Sequence, residues 1–315
     1  NMRFQGCVDL DYLKEVTGLP DEYFTYDKLE FYGAGNMLKG GIAFADKITT
    51  VSKSYALEIQ EEEYGEGLDP LLRYRKEDLL GIVNGIDYQV YSPAQDEYIK
   101  YHYHAQDFYK AKRKNKVCLQ KRTGMPVGKT IFTACIISRL TEQKGLDIFI
   151  PVLDEFLQQD VQLYILGSGE VRYEEIFSCM ARRYPQKVFL ETVYTDALAK
   201  YMYAGCDATI MPSLFEPCGL SQLMALRYGT VPLVRRTGGL KDTVELYQEK
   251  YHTGTGFGFD DYSEEALKKT LDRMLSVYQN QPAEWNGIVK RGMEQDFSWV
   301  TSAGEYIKLY EQMDG

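Results

Sequence analysis

Histidine is scarce in this chain, with three in 315 residues. His102 and His104 stand two positions apart, a poor spacing for two ligands on one helix face, so no structural zinc site is expected. Six cysteines (Cys7, Cys118, Cys135, Cys179, Cys206 and Cys218) are scattered without Cys-x-x-Cys or other metal spacing. A chain this long has its own core and needs no disulfide staples, so they read as reduced thiols. No apolar run approaches the length of a membrane span, and the N-terminus lacks a charged-then-apolar leader pattern. The expectation is a cytoplasmic chain with no membrane partner. Neither internal repeats nor low-complexity tracts are evident.

What the chain does have is an acidic balance and a long α/β pattern. Its formal charge of −10 argues against nucleic acid as a main partner. It leaves room for an anionic nucleotide, which a few local Arg and Lys residues can hold. A length of 315 residues suits two domains, and 44% apolar with 26% charged residues is the composition of a soluble globular protein.

From Lys129 onward strands and helices alternate. Strand runs are expected at 130–138, 161–166, 188–191, 208–211 and 231–234. Helices are expected at 145–159, 170–183, 196–204 and 219–228, with Pro151 near the first turns of the helix that it interrupts. Apolar strands separated by helices predict a parallel, doubly wound sheet. Earlier, a strand at 47–51 leads into a helix at 54–62 with Ser52 as N-cap, and a strand at 79–83 ends in the Asn84-Gly85 turn signal. Those strands are too few for a second complete sheet. A polar stretch rich in Lys and Tyr, about 92–116, reads as linker plus helix. The expected fold class is therefore α/β, with one complete Rossmann-like domain and one incomplete one.

The segment Pro212-Ser213-Leu214-Phe215-Glu216-Pro217-Cys218-Gly219-Leu220-Ser221-Gln222 carries the most information. It sets a carboxylate at the end of an apolar run, then a tight turn, then a helix start. A sugar can be held by Glu216 while a phosphate meets backbone N–H groups at the helix tip. Cys218, Gly219, Leu220 and Ser221 would form that tip, Ser221 adding a hydroxyl. Arg139 and Lys144 lie between an expected strand and helix, where ligands of open α/β sheets collect. Their spacing lets both cations approach one diphosphate, Arg by chelation and Lys as a point charge. Gly167-Ser168-Gly169 after a strand and Thr237-Gly238-Gly239 before a helix are further candidate contacts for nucleotide, phosphate or sugar. Tyr98, Tyr101, Tyr103 and Tyr109 read as packing residues of the linker helix rather than as a sugar platform.

These segments, with Gly41–Ser52, Gly81–Asp87, Ser138–Asp147, Arg227–Pro232 and Thr237–Val244, resemble the bacterial glycogen synthases and plant starch synthases in family order. The resemblance implies a GT-B fold of two Rossmann-like domains. It implies a hexosyltransferase that moves glucose from ADP-glucose to the non-reducing end of an α-1,4-glucan with retention, without a metal or cofactor. It gives Glu216 the glucose hydroxyls or the positive character at the sugar, and Arg139 and Lys144 the departing diphosphate. It puts Tyr194 on adenine, Asn84 on the acceptor glucan, and Cys218 in a lining rather than a nucleophilic role. Met224 stands where many relatives of this fold carry a ribose-binding Glu, as in the glycogen and starch synthase subgroup.

The opening Asn1–Gly6 resembles the segment that directly follows the family's active-site histidine, and the Lys-x-Gly-Gly-Leu loop is not in the chain. The expectation is residues 1–115 as a remnant of the acceptor-side domain plus linker, 116–295 as the nucleotide-binding domain, and 296–315 as a helix crossing back. Such a chain would be inactive or weakly active alone. Another GT-B nucleotide-sugar transferase and a non-catalytic nucleotide- or glucan-binding module stay open as alternatives.

Overall fold

The computed structural model describes residues 1–313. It divides into two compact units, Asn1–Val83 and Asn84 onward. In the first, β1 (Cys7–Asp9), β2 (Glu30–Phe31) and β3 (Ala34–Asn36) form an antiparallel sheet with β3 in the middle. A second sheet has only two strands, β4 (Ile48–Thr50) and β5 (Leu79–Gly81), which run parallel. The helices are short, and three of them, Leu10–Thr17, Met37–Phe44 and Lys53–Glu58, start at side-chain caps. Asn36 accepts from the Lys39 N–H at 2.9 Å and Ser52 from the Tyr55 N–H at 3.2 Å, so the expected Ser52 cap is present. Two small clusters serve as core, one around Ile42, Tyr55, Leu68 and Leu72, the other around Leu13, Phe24 and Leu29.

The second unit is built on six parallel strands: β6 (Phe132–Ile137), β7 (Val161–Leu166), β8 (Val188–Glu191), β9 (Ala208–Met211), β10 (Val231–Arg235) and β11 (Phe257–Phe259). Their order across the sheet is β8-β7-β6-β9-β10-β11, the doubly wound Rossmann arrangement. Every residue of β6 and β7 is buried, which explains why these strands read as continuous apolar runs instead of alternating. Helices Leu146–Gln158, Val171–Arg183 and Asp196–Gly205 occupy nearly the spans that periodicity predicts, with Pro151 in the second turn of the first. The strand β11 went unpredicted because Phe257-Gly258-Phe259 is too short to show a period. It exists by pairing with Leu233–Arg235.

The boundary between the units falls after Val83, not after residue 115. The stretch expected as a linker is welded to the second unit by buried polar contacts. Tyr103 donates to the Tyr228 carbonyl at 2.8 Å, and the Tyr228 hydroxyl donates to the Asp96 carboxylate. Beyond them helix Phe108–Arg122 inserts the Lys112 ammonium among the carbonyls of Tyr203 and Tyr228 and the Thr230 hydroxyl. Residues 84–86 also belong here: the Ile86 N–H donates to the Phe297 carbonyl at 2.8 Å, just before helix Trp299–Met313.

Candidate active site

In a doubly wound sheet the chain leaves its first strand toward one side and its fourth toward the other, which opens a crevice at their carboxyl ends. Here those strands are β6 and β9. Their ladder holds only at Ala134–Ala208 and Cys135–Thr209, so the strands part before they end. The loop after β6 carries Arg139 and Lys144, and the loop after β9 carries Glu216.

Lys144 ends a single 3-10 turn, and Gly145 follows it at φ +69°. A Cβ at Gly145 would lie 1.9 Å from the Pro212 carbonyl oxygen, so only glycine lets the two loops touch. Gln143 fastens them further. Its carbonyl accepts from the Leu214 N–H at 2.9 Å, and its amide donates to the Phe215 carbonyl at 3.3 Å. From the other side, Arg235 at the end of β10 donates to the Leu214 carbonyl.

So held, the Lys144 ammonium meets Glu216 Oε2 at 2.6 Å, and the buried Ser213 hydroxyl donates to the same oxygen at 3.2 Å. Glu216 is only 6% exposed, and its Oε1 has no partner among the described residues. An ammonium has three protons, so Lys144 keeps donors for a second anion while it orients the carboxylate. Arg139 is exposed, and among the described residues its guanidinium has no hydrogen bond or ion pair. Its loop joins the 167–169 turn, because the Leu140 N–H donates to the Ser168 carbonyl at 2.9 Å. The arrangement is one exposed cation and one shared cation on the loop after β6, and one oriented carboxylate on the loop after β9.

The helix-tip candidates divide. Helix Ser221–Arg227 has only seven residues, and the Ser221 hydroxyl donates to the Ile137 carbonyl at 3.1 Å, bracing the parted strands. Gly219 is left-handed at φ +70° and Leu220 is exposed. Burial pushes the Cys218 thiol up to about 11, against an opposing backbone N–H from Asn84, so it is a neutral lining group near pH 7. That same contact brings Asn84 beside the loop. Thr237 is buried, and the Thr237-Gly238-Gly239 candidate contact has part of its backbone already in use: the Gly239 N–H donates to the Glu216 carbonyl at 3.0 Å. Gly238, at φ +45°, would set a Cβ 2.2 Å from that carbonyl. The 237–239 segment thus holds the acid's backbone in place. Tyr194 stands apart, after β8, 53% exposed, its hydroxyl donating to Asp196 at 3.0 Å and its ring open.

Sequence reasoning missed Gln143, Ser213, Arg235 and Gln222. Gln222 is fully buried and donates to the carbonyls of Cys218 and Gly219, shaping the turn. A glutamine three residues past the Gly219 turn, at a helix start, was the available signal. Among the described residues no three His, Cys, Asp or Glu side chains gather as a metal site, and no helix is long and apolar enough to cross a membrane.

Residues 122–287, which include both loops, match the family model for glycosyl transferases group 1. The chain belongs to the group 1 glycosyltransferases. Residues 1–74 of this glycosyltransferase match a second model, the starch synthase catalytic domain. It is 52% identical over 313 residues to a glycogen synthase of Lachnospira eligens, covering 99% of the chain and 66% of that protein. A glycogen synthase of Thermotoga maritima is 47% identical over 312 residues, with 99% and 64% covered. The chain therefore spans just under two thirds of the length of these relatives. The catalytic domain of starch synthase IV from Arabidopsis thaliana, solved with ADP and acarbose, superposes with a TM-score of 0.92 at 32% identity, over 99% of this chain and 65% of that one. A sucrose-phosphate synthase from Thermosynechococcus elongatus shares the fold alone, at a TM-score of 0.56 and 19% identity, over 85% and 58%. The resemblance to glycogen and starch synthases thus holds along nearly the whole chain, as does the GT-B fold class that it implies.

Proposed function

We propose that the site serves glucosyl transfer from ADP-glucose to the non-reducing end of an α-1,4-glucan, with retention. The observation that carries this is the Lys144–Glu216 contact at the switch-point crevice, with the exposed Arg139 five residues before Lys144 on the same loop. Arg139 and the spare protons of Lys144 take the diphosphate. Glu216 Oε1 accepts from a glucose hydroxyl, and the open face of Tyr194 meets adenine. As the bond from the anomeric carbon to phosphate oxygen breaks, its electron pair leaves with ADP, and the two cations stabilise that charge. The acceptor's 4-hydroxyl oxygen forms the new bond on the same face, and its proton passes to the departing phosphate. Asn84 faces the acceptor.

ADP bound in the starch synthase structure supports adenine as the donor base. The match to glycogen synthases over 99% of the chain favours this reading over a sucrose- or lipid-sugar-forming enzyme. The 315-residue chain by itself binds ADP and elongates glucan very poorly. Calorimetry with ADP and radiolabelled transfer from ADP-glucose to glycogen test the two halves. Arg139→Ala weakens ADP binding about tenfold or more, the loss of charge-assisted hydrogen bonds. Undiminished binding removes the phosphate assignment, and brisk turnover by this chain removes the claim about its activity.

A further inference from the structure

The carboxyl ends of the six strands hold the candidate active site. At the opposite end of the same sheet is a cavity of about 450 Å³. Its walls come from helix Phe108–Arg122, helices Glu264–Asn280 and Pro282–Glu294, and the residues that lead into the strands: Thr130 before β6, Asp160 before β7 and Asp207 before β9. That volume lies in the range of small-molecule pockets.

The lining has two parts. One is aromatic: Phe108, Tyr109, Tyr278 and Trp285, with Trp285 and Tyr278 edge to face at 5.1 Å and Tyr109 46% exposed. The other is cationic: Lys112, Arg113, Lys116 and Lys129, against the carboxylates of Asp160 and Asp207. In a chain of formal charge −10 this is a local excess of positive charge. Lys116 is neutralised by Asp207 and also donates to the Tyr278 hydroxyl. Lys112 is buried with neutral oxygens alone as hydrogen-bond partners, at 2.8–3.4 Å from Thr230, Tyr203, Tyr228 and Ala204. Its donors are used, but no carboxylate is bonded to it. At the mouth, Arg113 spends one nitrogen on the Tyr109 hydroxyl, and Lys129 has no partner among the described residues.

We propose that this cavity binds a small organic anion made of a flat ring and one acidic group, the ring against Trp285 and Tyr109 and the acid between Arg113 and Lys129. Aromatic walls favour a planar apolar body. A guanidinium with free donors beside an ammonium favours a carboxylate, sulfonate or phosphate. Asp160 opposes a second negative charge. The site is separate from the crevice at the other end of the strands, and it does not depend on the glucosyl-transfer reading.

The test uses 8-anilinonaphthalene-1-sulfonate as probe. The chain has two tryptophans, so Trp299→Phe leaves Trp285 as the sole emitter. Saturable quenching of Trp285 by the probe is expected, unchanged by saturating ADP. Arg113→Glu with Lys129→Glu weakens that binding at least tenfold, while Lys110→Glu, on the same helix but outside the cavity, leaves it within twofold. Should charge reversal at the mouth disrupt folding by circular dichroism, Arg113→Gln with Lys129→Gln replaces it, with a smaller loss of affinity expected. Absence of quenching, displacement by ADP, or equal weakening by Lys110→Glu overturns the proposal.

Discussion

The two units of this chain reach structure by different routes. In the second, long apolar strands stack side by side, and one continuous core takes in residues from Ile99 to Met293. In the first, strands of two or three residues make two small sheets over two small clusters, and Phe4, Tyr26, Tyr32 and Tyr74 stay exposed. A two-stranded sheet has little independent stability, and small cores cover little of the entropy lost on folding. The difference teaches that the candidate site stands on a rigid frame, since its cation loop and acid loop both spring from the well-packed sheet.

The sharpest way to break this contrast is to hollow the frame. Phe149→Ala removes a fully buried ring, and about 3–5 kcal/mol of stability should go with it. In urea the main unfolding transition shifts to lower denaturant, while an earlier transition of residues 1–83 stays put. A single shared shift would show that the units unfold together. Within the site, Glu216→Gln retains the shape and removes the charge that holds Lys144. ADP should then bind equally well or a few-fold more tightly by calorimetry, because the ammonium is released toward phosphate. A clear loss of affinity would contradict the shared-cation geometry.

In the weaker unit, Ser52→Ala removes a helix cap and should cost about 1 kcal/mol, visible only in the earlier transition. The frame of the second unit should also show a pH dependence, of up to about 1.4 kcal/mol per pH unit. Burial, opposed chiefly by Asp207, lowers the Lys112 ammonium to about 8. Below that value both folded and unfolded chains hold this proton. Between about 8 and the ordinary lysine value the folded chain sheds it first, so stability relative to a Lys112→Met variant should rise with pH across that window. A flat difference between pH 7.5 and 9.5 would show that Lys112 keeps its charge when buried.

Much of the fold was readable because the signals were long. Val161–Leu166 and Val188–Glu191 match their expected spans, since apolar residues dominate both; the polar Gln162 is tolerated inside the first because its amide donates to the Pro126 carbonyl and its oxygen accepts from Gln120. The linker reading failed within about 92–116, where Lys, Tyr and Asp look solvent-bound in one dimension. Asp96, Tyr103 and Lys112 are in fact satisfied by partners about a hundred residues or more away, such as Tyr228 and Tyr203. Part of the phosphate-contact reading changed for the same reason: the Gly239 N–H and the Ser221 hydroxyl, free in a sequence, are taken by the Glu216 and Ile137 carbonyls.

The order of residues alone determined the strand–helix alternation, the crowding of Arg139, Lys144 and Glu216 near strand ends, and the resemblance that those motifs carry. Those properties depend on spacing along the chain, which periodicity and turn chemistry express locally. Only the tertiary structure decided that Lys144 grips Glu216, that Gln143 and Arg235 fasten the loop, and that a cationic hollow lies beneath the sheet. These are contacts between residues far apart in sequence, and the packing of strands against one another sets which of them meet.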